Sequence, residues 1–267
     1  MADTVLYEVS EGLATITLNR PEAMNALNVE AKVALREAAR EAAGDPEVRA
    51  ILLTAAGDRA FCVGQDLKEH IGLLAKDRET GSGQTMSTVG EHYNPIVRAL
   101  AGAAKPVVAA VNGVAAGAGF GFALAADYRV VADTASFNTS FAGVALTGDS
   151  GISWTLPRVV GPGRAADLLL FPRSIGARDA LELGIANRVV PSGELRAEAE
   201  KVARELATGP TLAYAAIKEA VAFGLTHSLS ETLDKEDELQ TRAGRSEDHA
   251  IAVQAFVDKR KPRYSGR

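Results

Sequence analysis

The sequence is poor in cysteine and histidine, and these shortages exclude several kinds of site. Its one cysteine, Cys62, cannot form an intramolecular disulfide. The four histidines are scattered, and none forms a His/Cys pair with the spacing of metal ligands. We therefore expect neither a structural nor a catalytic metal. The start of the chain has no basic segment followed by an apolar one, so we expect a reducing, cytoplasmic location.

An excess of positive charge and an uninterrupted apolar run are also missing. The net charge is −5 at pH 7, and basic residues are dispersed until 258–263, so nucleic acid is not an expected partner. Only residues 106–126 are long and uncharged enough to suggest a membrane span. Pro106, Asn112 and four glycines interrupt them, which favours a buried strand, a turn and a buried helix. We therefore expect no membrane partner.

What the sequence does contain is a repeated pattern of strands and helices. Apolar residues make up 47% of the chain, which is enough for a large core. Alternating apolar residues predict a hairpin in 5–18, and Asn28 is a good N-cap for a helix through 31–43. A buried strand at 50–55 follows, and the same order recurs from 106 to 138. The sequence therefore predicts an α/β fold that begins with repeated ββα units.

The last quarter of the chain has a different pattern. Only helices are predicted there, over 192–207, 211–224, 228–242 and 246–260. We therefore divide the chain into an α/β core, 1–191, and a helical region, 192–267. From the residues alone, this region serves either oligomerisation or the covering of an apolar face of the core. Within the core, the polar, Gly/Ser-rich segment 76–88 predicts a mobile loop.

Two predicted loops each connect a strand to a helix. In one, small residues at Gly117 and Ala118 leave the N–H groups of the helix start accessible. In the other, Gly64 precedes Asp66, which with Glu69 forms a D-x-x-E capping box, so an N-cap role is favoured for Asp66. Taken alone, the glycines indicate close helix packing at least as well as ligand binding. One N–H from each loop would nevertheless form an oxyanion hole.

Five segments resemble the enoyl-CoA hydratase/isomerase family, the crotonase superfamily. They are LNRPEAMNAL (18–27), AFCVGQDLKE (60–69), PVVAAVNGVAAGAG (106–119), LPRVVG (156–161) and AFVDKRKP (255–262). The resemblance implies a superhelix of ββα units with a helical C-terminal region, assembled as a homotrimer or a dimer of trimers. It implies an acyl-CoA substrate, with coenzyme A as part of the substrate and no other cofactor. It also implies that the N–H groups of Gln65 and Ala118 hold the thioester oxygen.

The resemblance implies catalytic glutamates at two positions if the protein is a hydratase. Those positions are occupied by Gly121 and, by ungapped matching of residues 137–151, by Phe141. Neither side chain can transfer a proton. Because loss of a positioned acid–base group typically costs ~10²–10⁴-fold in rate, we do not expect efficient hydration by the family mechanism.

The tetrapeptide at 148–151, Gly-Asp-Ser-Gly, matches the nucleophile signature of secreted serine proteases. Those enzymes are all-β and usually disulfide-bonded, so the α/β pattern and the single cysteine argue against that class. Asp149 instead matches the catalytic carboxylate of enoyl-CoA isomerases in the superfamily. Residues 149–161 and 92–100 are similar to the ring-opening isomerases of phenylacetate breakdown. The alternative is that Asp149 only N-caps a helix beginning at Ser150.

The predicted substrate site combines loop residues, an apolar wall and two C-terminal lysines. Its residues are Phe61, Val63, Gly64, Asp66, Tyr93, Gly117, Phe120, Gly121, Phe141, Val144, Lys259 and Lys261. The wall of phenylalanines and valine is expected to raise the pKa of Asp149. Tyr93 is equally compatible with a place in the core. Glu91 and His92 either reach the pocket or lie at a solvated helix end, and the helix end is favoured. Lys259 and Lys261 either bind CoA phosphates, within or across subunits, or end a basic helix.

Three functions agree with these observations. In the first, Asp149 is the only base of an isomerase that moves a double bond within an enoyl-CoA, which includes ring-derived acyl groups. In the second, a hydratase adds water through an unusual acid–base group, and its activity survives loss of Asp149. In the third, the protein binds CoA thioesters without turnover, so ligands stabilise it and no product forms.

Overall fold

The computed structural model describes residues 3–81 and 84–267. Its strands are β1 (Val5–Ser10), β2 (Leu13–Leu18), β3 (Ala50–Ala55), β4 (Ala60–Cys62), β5 (Val107–Val111), β6 (Val114–Ala116), β7 (Tyr128–Ala132), β8 (Ser136–Asn138), β9 (Ile175–Gly176) and β10 (Arg188–Val190). Its α-helices are α1 (Val29–Gly44), α2 (Leu67–Thr80), α3 (Asn94–Ala101), α4 (Ala118–Ala125), α5 (Ile152–Val160), α6 (Pro162–Leu170), α7 (Ala177–Glu182), α8 (Leu195–Ala207), α9 (Thr211–Gly224), α10 (Leu229–Gly244) and α11 (Glu247–Val257). The predicted α/β class is confirmed.

The strands form two sheets of different size. The larger has the order β1-β2-β3-β5-β7-β10, in which the β1/β2 hairpin is antiparallel and all other pairs are parallel. The smaller has the order β4-β6-β8-β9, with only β8 and β9 antiparallel. Every residue of β3 and β5 is buried, as expected for parallel strands that are covered on both faces.

Three consecutive ββα units connect the two sheets. In β3-β4-α2, β5-β6-α4 and β7-β8-α5, the first strand belongs to the larger sheet and the second to the smaller one. Strands β4, β6 and β8 are parallel neighbours, so their carboxyl ends lie at one edge of the smaller sheet. The three connections that lead from this edge into helices therefore converge. The prediction of repeated ββα units is confirmed.

The C-terminal helices differ in their contacts with the core. Helix α8 packs against β3, β5 and β7, and its apolar residues belong to the same hydrophobic core, so this helix covers the larger sheet. Helix α9 pairs with α10 and is joined to the core by the ion pair of Lys218 with Asp127, 2.6 Å. The division of the chain at 191/192 stays a prediction. Within the described residues, no helix combines the length and apolarity needed to cross a membrane.

Segment 76–88 is more regular than its composition suggests. Helix α2 continues to Thr80 and ends at Gly81, whose φ of +67° suits glycine. A 3₁₀ turn spans Gln84–Ser87, and the backbone N–H of Thr85 donates to Oδ2 of Asp77 at 2.7 Å. The prediction of a loop is therefore wrong for 76–80 and 84–87, where helix-forming residues and this hydrogen bond outweigh the polar composition. The mobility of the segment stays a prediction. The remaining part of the predicted loop includes residues 82–83, which lie outside the described residues.

Candidate active site

Two glycine turns bring the first two connections together. Gly64, after β4, has a φ of +82°, and Gly117, after β6, has a φ of +53°. These left-handed values are easily adopted only by glycine. A Cβ placed on Gly64 would lie 3.4 Å from the backbone nitrogen of Ala118. The turn that carries Gln65 and the start of α4 are therefore in direct contact.

Each of these turns presents a backbone N–H without an acceptor. Leu27 bridges the residues on either side of Gln65: its N–H donates to the carbonyl of Gly64, and its carbonyl accepts from Asp66. Ala118 is the first residue of α4, where no intrahelical acceptor exists. Within residues 3–81 and 84–267, neither the Gln65 nor the Ala118 N–H donates a hydrogen bond. Two neighbouring free donors can bind the same oxygen.

The other small residues of this connection serve close packing. A Cβ on Gly119 would collide with the backbone carbonyl of Cys62, so α4 approaches β4 only because residue 119 is glycine. The N–H of Gly117 donates to the Asn138 carbonyl at the end of β8, 3.1 Å. The packing interpretation of the glycines therefore holds for Gly119, and it coexists with the free N–H of Ala118.

The third connection places Asp149 immediately before α5. Ser150 and Gly151 both have positive φ, +50° and +75°, and the helix begins only at Ile152. Gly151 is the N-cap residue and no side chain caps the helix. The Asp149 carboxylate instead accepts a hydrogen bond from Oγ of Ser150 at 2.8 Å. Both the N-cap alternative for Asp149 and the predicted helix start at Ser150 are wrong, because the two left-handed residues delay the helix.

The surroundings of Asp149 favour its neutral form. Burial raises the pKa of the carboxyl above its ordinary value of 3.8, and the Ser150 hydroxyl and the Lys32 ammonium offset this effect only in part. A carboxylate with a raised pKa is a better general base once it is ionised.

Gly121 makes room for this turn. A Cβ on Gly121 would lie 2.6 Å from both the Cβ and the carbonyl oxygen of Ser150. Ser150 is buried, at 1% exposure, so it has no open space into which to move. A larger residue at 121, glutamate included, is incompatible with the turn that carries Asp149.

Asp66 has the structural role that the sequence favours. It N-caps α2, and its Oδ1 accepts from the N–H groups of Lys68 and Glu69 at 3.1 and 3.3 Å. Its Oδ2 forms an ion pair with Arg20 at 2.9 Å. Burial raises the pKa of Asp66, but these hydrogen bonds and the Arg20 charge outweigh burial and lower it overall. The predicted capping box is incomplete, because Glu69 accepts from the N–H of Val29 instead, at 2.8 Å.

The predicted apolar wall is only partly buried. Phe61 and Phe120 are fully buried, and Phe141 lies beside the Gly117 turn, 4.0 Å from the position of an added Cβ. Val144, on a 3₁₀ turn, is 59% exposed. The place of Val144 in the apolar wall of the substrate site therefore stays a prediction. Val63 is half-buried.

Tyr93 and Lys32 complete the surroundings of the site. Tyr93 is 2% exposed, and its hydroxyl donates to Oε1 of Gln65 at 2.8 Å, so it belongs to the core and also contacts the residue that carries one of the two free N–H groups. The Lys32 ammonium lies 5.6 Å from the centroid of the Tyr93 ring. Burial lowers the pKa of Lys32, and the charges of Glu69, Asp66 and Asp149 counteract this effect.

Lys32 is the site residue that the sequence analysis missed. Apolar spacing predicts α1, and a lysine in such a helix is usually assigned to its solvated face. Lys32 is nevertheless three residues before Leu35 and seven before Ala39, both buried, so it lies on their face of the helix. That spacing is the signal that could have identified it.

The remaining candidates lie at the edge of the site or away from it. His92 is buried, and burial together with the charges of Lys32 and Arg36 lowers its pKa, so the predicted solvated position is wrong for His92. Glu91 is exposed, as predicted. Lys259 and Lys261 are exposed beyond α11, and among the described residues no side-chain hydrogen bond or ion pair joins them to the other site residues.

Comparison with known proteins agrees with this architecture. The family model "Enoyl-CoA hydratase/isomerase" matches residues 8–267. A probable enoyl-CoA hydratase of Rhodobacter capsulatus is 43% identical over 99% of this chain and 98% of its own. The 1,2-epoxyphenylacetyl-CoA isomerase of Escherichia coli is 41% identical over the full length of both.

Solved structures show the same fold over nearly the whole chain. A crystal structure from Mycobacterium abscessus, 44% identical, matches with a TM-score of 0.94 and covers 98% of this chain and 100% of that one. Enoyl-CoA hydratase from Bacillus anthracis, 29% identical, matches with a TM-score of 0.90 over 99% and 100%. This chain therefore belongs to the enoyl-CoA hydratase/isomerase family, in the crotonase superfamily.

Proposed function

We propose that the protein is an isomerase that moves a double bond within an enoyl-CoA, with Asp149 as its single acid–base group. The thioester oxygen accepts hydrogen bonds from the backbone N–H groups of Gln65 and Ala118. The ionised Asp149 carboxylate removes a proton from C2 of a 3-enoyl thioester, and the electrons delocalise onto the oxygen as an enolate. The same carboxyl returns the proton to C4, so that the C3=C4 double bond becomes C2=C3.

The observation that carries this proposal is the contact between Gly121 and Ser150. At the position where the resemblance implies a hydratase glutamate, the chain has no side chain, and the Ser150 backbone fills the space. The same contact supports the turn that carries Asp149, whose pKa is raised by burial. At the second glutamate position, Phe141 cannot transfer a proton. The site thus offers one positioned carboxylate, which suits a proton shuttle better than addition of water.

The relatives support both reactions of the family. One relative bears the name 1,2-epoxyphenylacetyl-CoA isomerase, which supports an isomerase for a ring-derived acyl group and a place in phenylacetate catabolism. Another is named short-chain-enoyl-CoA hydratase, at 33% identity, which keeps hydration as the second candidate. The proposed shuttle needs no metal or redox cofactor, since coenzyme A enters as part of the substrate.

Product analysis with two substrates tests the proposal. Purified protein is incubated with a 3-enoyl-CoA and, separately, with a 2-enoyl-CoA, and the products are resolved by chromatography and mass. We expect an isobaric 2-enoyl product from the first substrate, lost in Asp149→Asn. Asp248→Asn is the matched control, because this buried aspartate lies in α11 and accepts from the backbone of Ser265 and Gly266.

The alternatives predict other outcomes of the same experiment. Formation of a 3-hydroxyacyl-CoA that survives in Asp149→Asn would establish the hydratase and reject the isomerase. Thermal stabilisation by a CoA thioester, with no product from either substrate, would establish the binding protein.

We also propose that the protein assembles as a homotrimer or a dimer of trimers in the cytoplasm. The C-terminal helices support self-association, because they expose large apolar side chains; these are Ile217, Val221, Leu225, Leu229, Leu233, Val253, Phe256 and Val257. The single, buried cysteine supports a reducing compartment. Light scattering coupled to size-exclusion chromatography tests the assembly, and a monomeric mass would reject it.

A further inference from the structure

Lys32 is a buried cation without a hydrogen-bonding partner in the protein. It is 1% exposed, and within the described part of the chain its ammonium makes no hydrogen bond and no ion pair within 4.0 Å. The ammonium lies over the Tyr93 ring, 5.6 Å from its centroid. An ammonium has three donors, and a residue that is 1% exposed leaves them little contact with water, which is unfavourable when no acceptor is near.

Two other lysines with little exposure do have partners. The ammonium of Lys105 donates to the carbonyls of Ala42 and Asp45 at 3.0 and 2.7 Å. That of Lys218 pairs with Asp127 at 2.6 Å and donates to the Lys105 carbonyl at 2.9 Å. The ammonium groups of Lys105 and Lys218 therefore have acceptors in the protein, whereas that of Lys32 has none among the described residues.

A second donor without an acceptor belongs to the same cluster. Gln65 accepts from the Tyr93 hydroxyl through Oε1, while its Nε2 is buried and has no partner in the described residues. Tyr93 thus touches both Lys32 and Gln65, and each of these residues carries unused donors. Two unused donors around one ring indicate that a bound molecule supplies an acceptor.

The charges around Lys32 indicate which kind of acceptor this is. Asp66 is committed to Arg20 and to the α2 cap, and Glu69 accepts from the Val29 N–H. Asp149 is the third carboxylate that acts on Lys32, after Glu69 and Asp66; it accepts from the Ser150 hydroxyl and must be ionised to begin the proposed reaction. A second anion would be repelled by Asp149, whereas a neutral oxygen accepts a hydrogen bond from Lys32 without that cost.

We infer that Lys32 is a specificity residue, whose ammonium donates a hydrogen bond to a neutral oxygen of the acyl group, such as an ether, epoxide or hydroxyl. The preferred substrate is therefore an oxygenated acyl-CoA, and a plain hydrocarbon acyl group leaves the ammonium unsatisfied. This inference rests on the proposed function, since it assumes that the acyl group lies between Asp149 and Tyr93.

The experiment compares 3-octenoyl-CoA with its analogues that have an ether oxygen in place of C6 or C7. Isomerisation is measured for the wild type, Lys32→Met and Lys105→Met, with kcat and KM determined separately. We expect the wild type to prefer one of the ether analogues. Lys32→Met should lose about 10- to 100-fold in kcat/KM on that analogue, the size of a hydrogen bond to a charged group, and little on the hydrocarbon.

The controls separate this role from a structural one. Lys105→Met removes a satisfied lysine, so it should lower the melting temperature and leave the ratio of the two kcat/KM values unchanged. Lys32→Met removes an unsatisfied buried charge, so its melting temperature should be equal to or above that of the wild type. Lys32→Gln, which keeps a donor, should retain part of the preference. Equal losses on ether and hydrocarbon substrates in Lys32→Met would overturn the inference.

Binding measurements distinguish failure of this inference from failure of the proposed function. Dissociation constants are measured by calorimetry for octanoyl-CoA and its 6-oxa and 7-oxa analogues, which need no turnover. A preference for oxygen that depends on Lys32, without isomerisation of any 3-enoyl thioester, would reject the isomerase and retain the oxygen-binding role. Isomerisation without any preference for oxygen, in either kcat/KM or binding, would retain the isomerase and reject the oxygen-binding role of Lys32.

Discussion

Asp66 and Asp149 occupy comparable places in the fold but have opposite surroundings. Each follows a strand of the smaller sheet and precedes a helix of a ββα unit. Asp66 receives two backbone hydrogen bonds and an ion pair, and its pKa is lowered overall. Asp149 receives one hydroxyl hydrogen bond, and burial raises its pKa. The carboxylate of Asp66 is occupied by its cap and its ion pair and stabilises its helix. The carboxylate of Asp149 accepts from the Ser150 hydroxyl and is available for chemistry.

The largest expected difference between the two aspartates is in catalysis. Asp149→Asn should lower kcat for isomerisation by ~10²–10⁴-fold, because the carboxylate is the only proposed base. Asp66→Asn should change kcat by less than about tenfold, because asparagine is also a good N-cap and α2 keeps its start. Steady-state kinetics with a 3-enoyl-CoA compares the two. Similar losses in both variants would contradict the distinction between cap and base.

Displacement of the Asp149 turn, with the carboxylate retained, should have the next largest effect. In Gly121→Ala the added methyl meets Ser150 at 2.6 Å and must move the turn. We expect kcat to fall by about 10- to 100-fold, the usual consequence of misplacing a catalytic group by about 1 Å. Gly72→Ala is the control, because a methyl there meets nothing within 4 Å and lies in α2. Full activity of Gly121→Ala would mean that the turn does not position the base.

The pH dependence of the reaction should follow Asp149 and not Asp66. Because Asp149 must be ionised to accept a proton, kcat/KM should fall about tenfold per pH unit below its raised pKa. The acid limb should therefore lie above pH 3.8, and it should disappear from the residual activity of Asp149→Asn. It should remain unchanged in Asp66→Asn. An acid limb that shifts in the Asp66 variant, and not in the Asp149 variant, would reverse the assignment.

The smallest expected effects are on stability, and they have opposite signs. The folded-state pKa of Asp66 is lowered, so its contribution to the free energy of unfolding is present above its unfolded-state pKa and is lost as pH falls through the folded-state pKa. Asp66→Ala should therefore lower the free energy of unfolding by about 1 kcal/mol at pH 7. The folded-state pKa of Asp149 is raised, so its contribution to folding stability is present below its unfolded-state pKa and is lost as pH rises through the folded-state pKa. Asp149→Asn should therefore be as stable as the wild type or more so at pH 7.

Urea unfolding from pH 3 to pH 8 measures both effects. The loss in the free energy of unfolding caused by Asp66→Ala should become smaller towards acid pH. Any increase caused by Asp149→Asn should also become smaller towards acid pH. A marked loss of stability in Asp149→Asn at pH 7 would show that this carboxylate holds the fold together.

Several elements of the fold could be predicted because their signals are local. Asn28 starts α1 and its side chain accepts from Ala31 at 2.9 Å, as its position before an apolar periodic segment indicates. The burial of β3 and β5 follows from continuous apolar runs, and the C-terminal helices follow from their apolar spacing. The helix at 76–80 was missed because nearby glycine and serine were given more weight than the helix-forming residues between them.

The site was only partly predictable because its electrostatics depend on residues far apart in sequence. Lys32 and Asp149 are 117 positions apart, yet each affects the pKa of the other. Val144 is apolar, yet its 3₁₀ turn leaves it 59% exposed. His92 reads as polar and hence solvated, but α1 covers it with Arg36 and Lys32.

By itself the sequence determined the ββα repeats and the glycine turns, because these are local properties, and its resemblance to the family implied the two missing glutamates. Only the tertiary structure decided that Asp149 is not a cap, that Gly121 makes room for Ser150, and that Lys32 is buried without a partner among the described residues. The physical reason is that a pKa and a steric contact depend on all neighbouring atoms, and three separate connections supply those neighbours only when β4, β6 and β8 align.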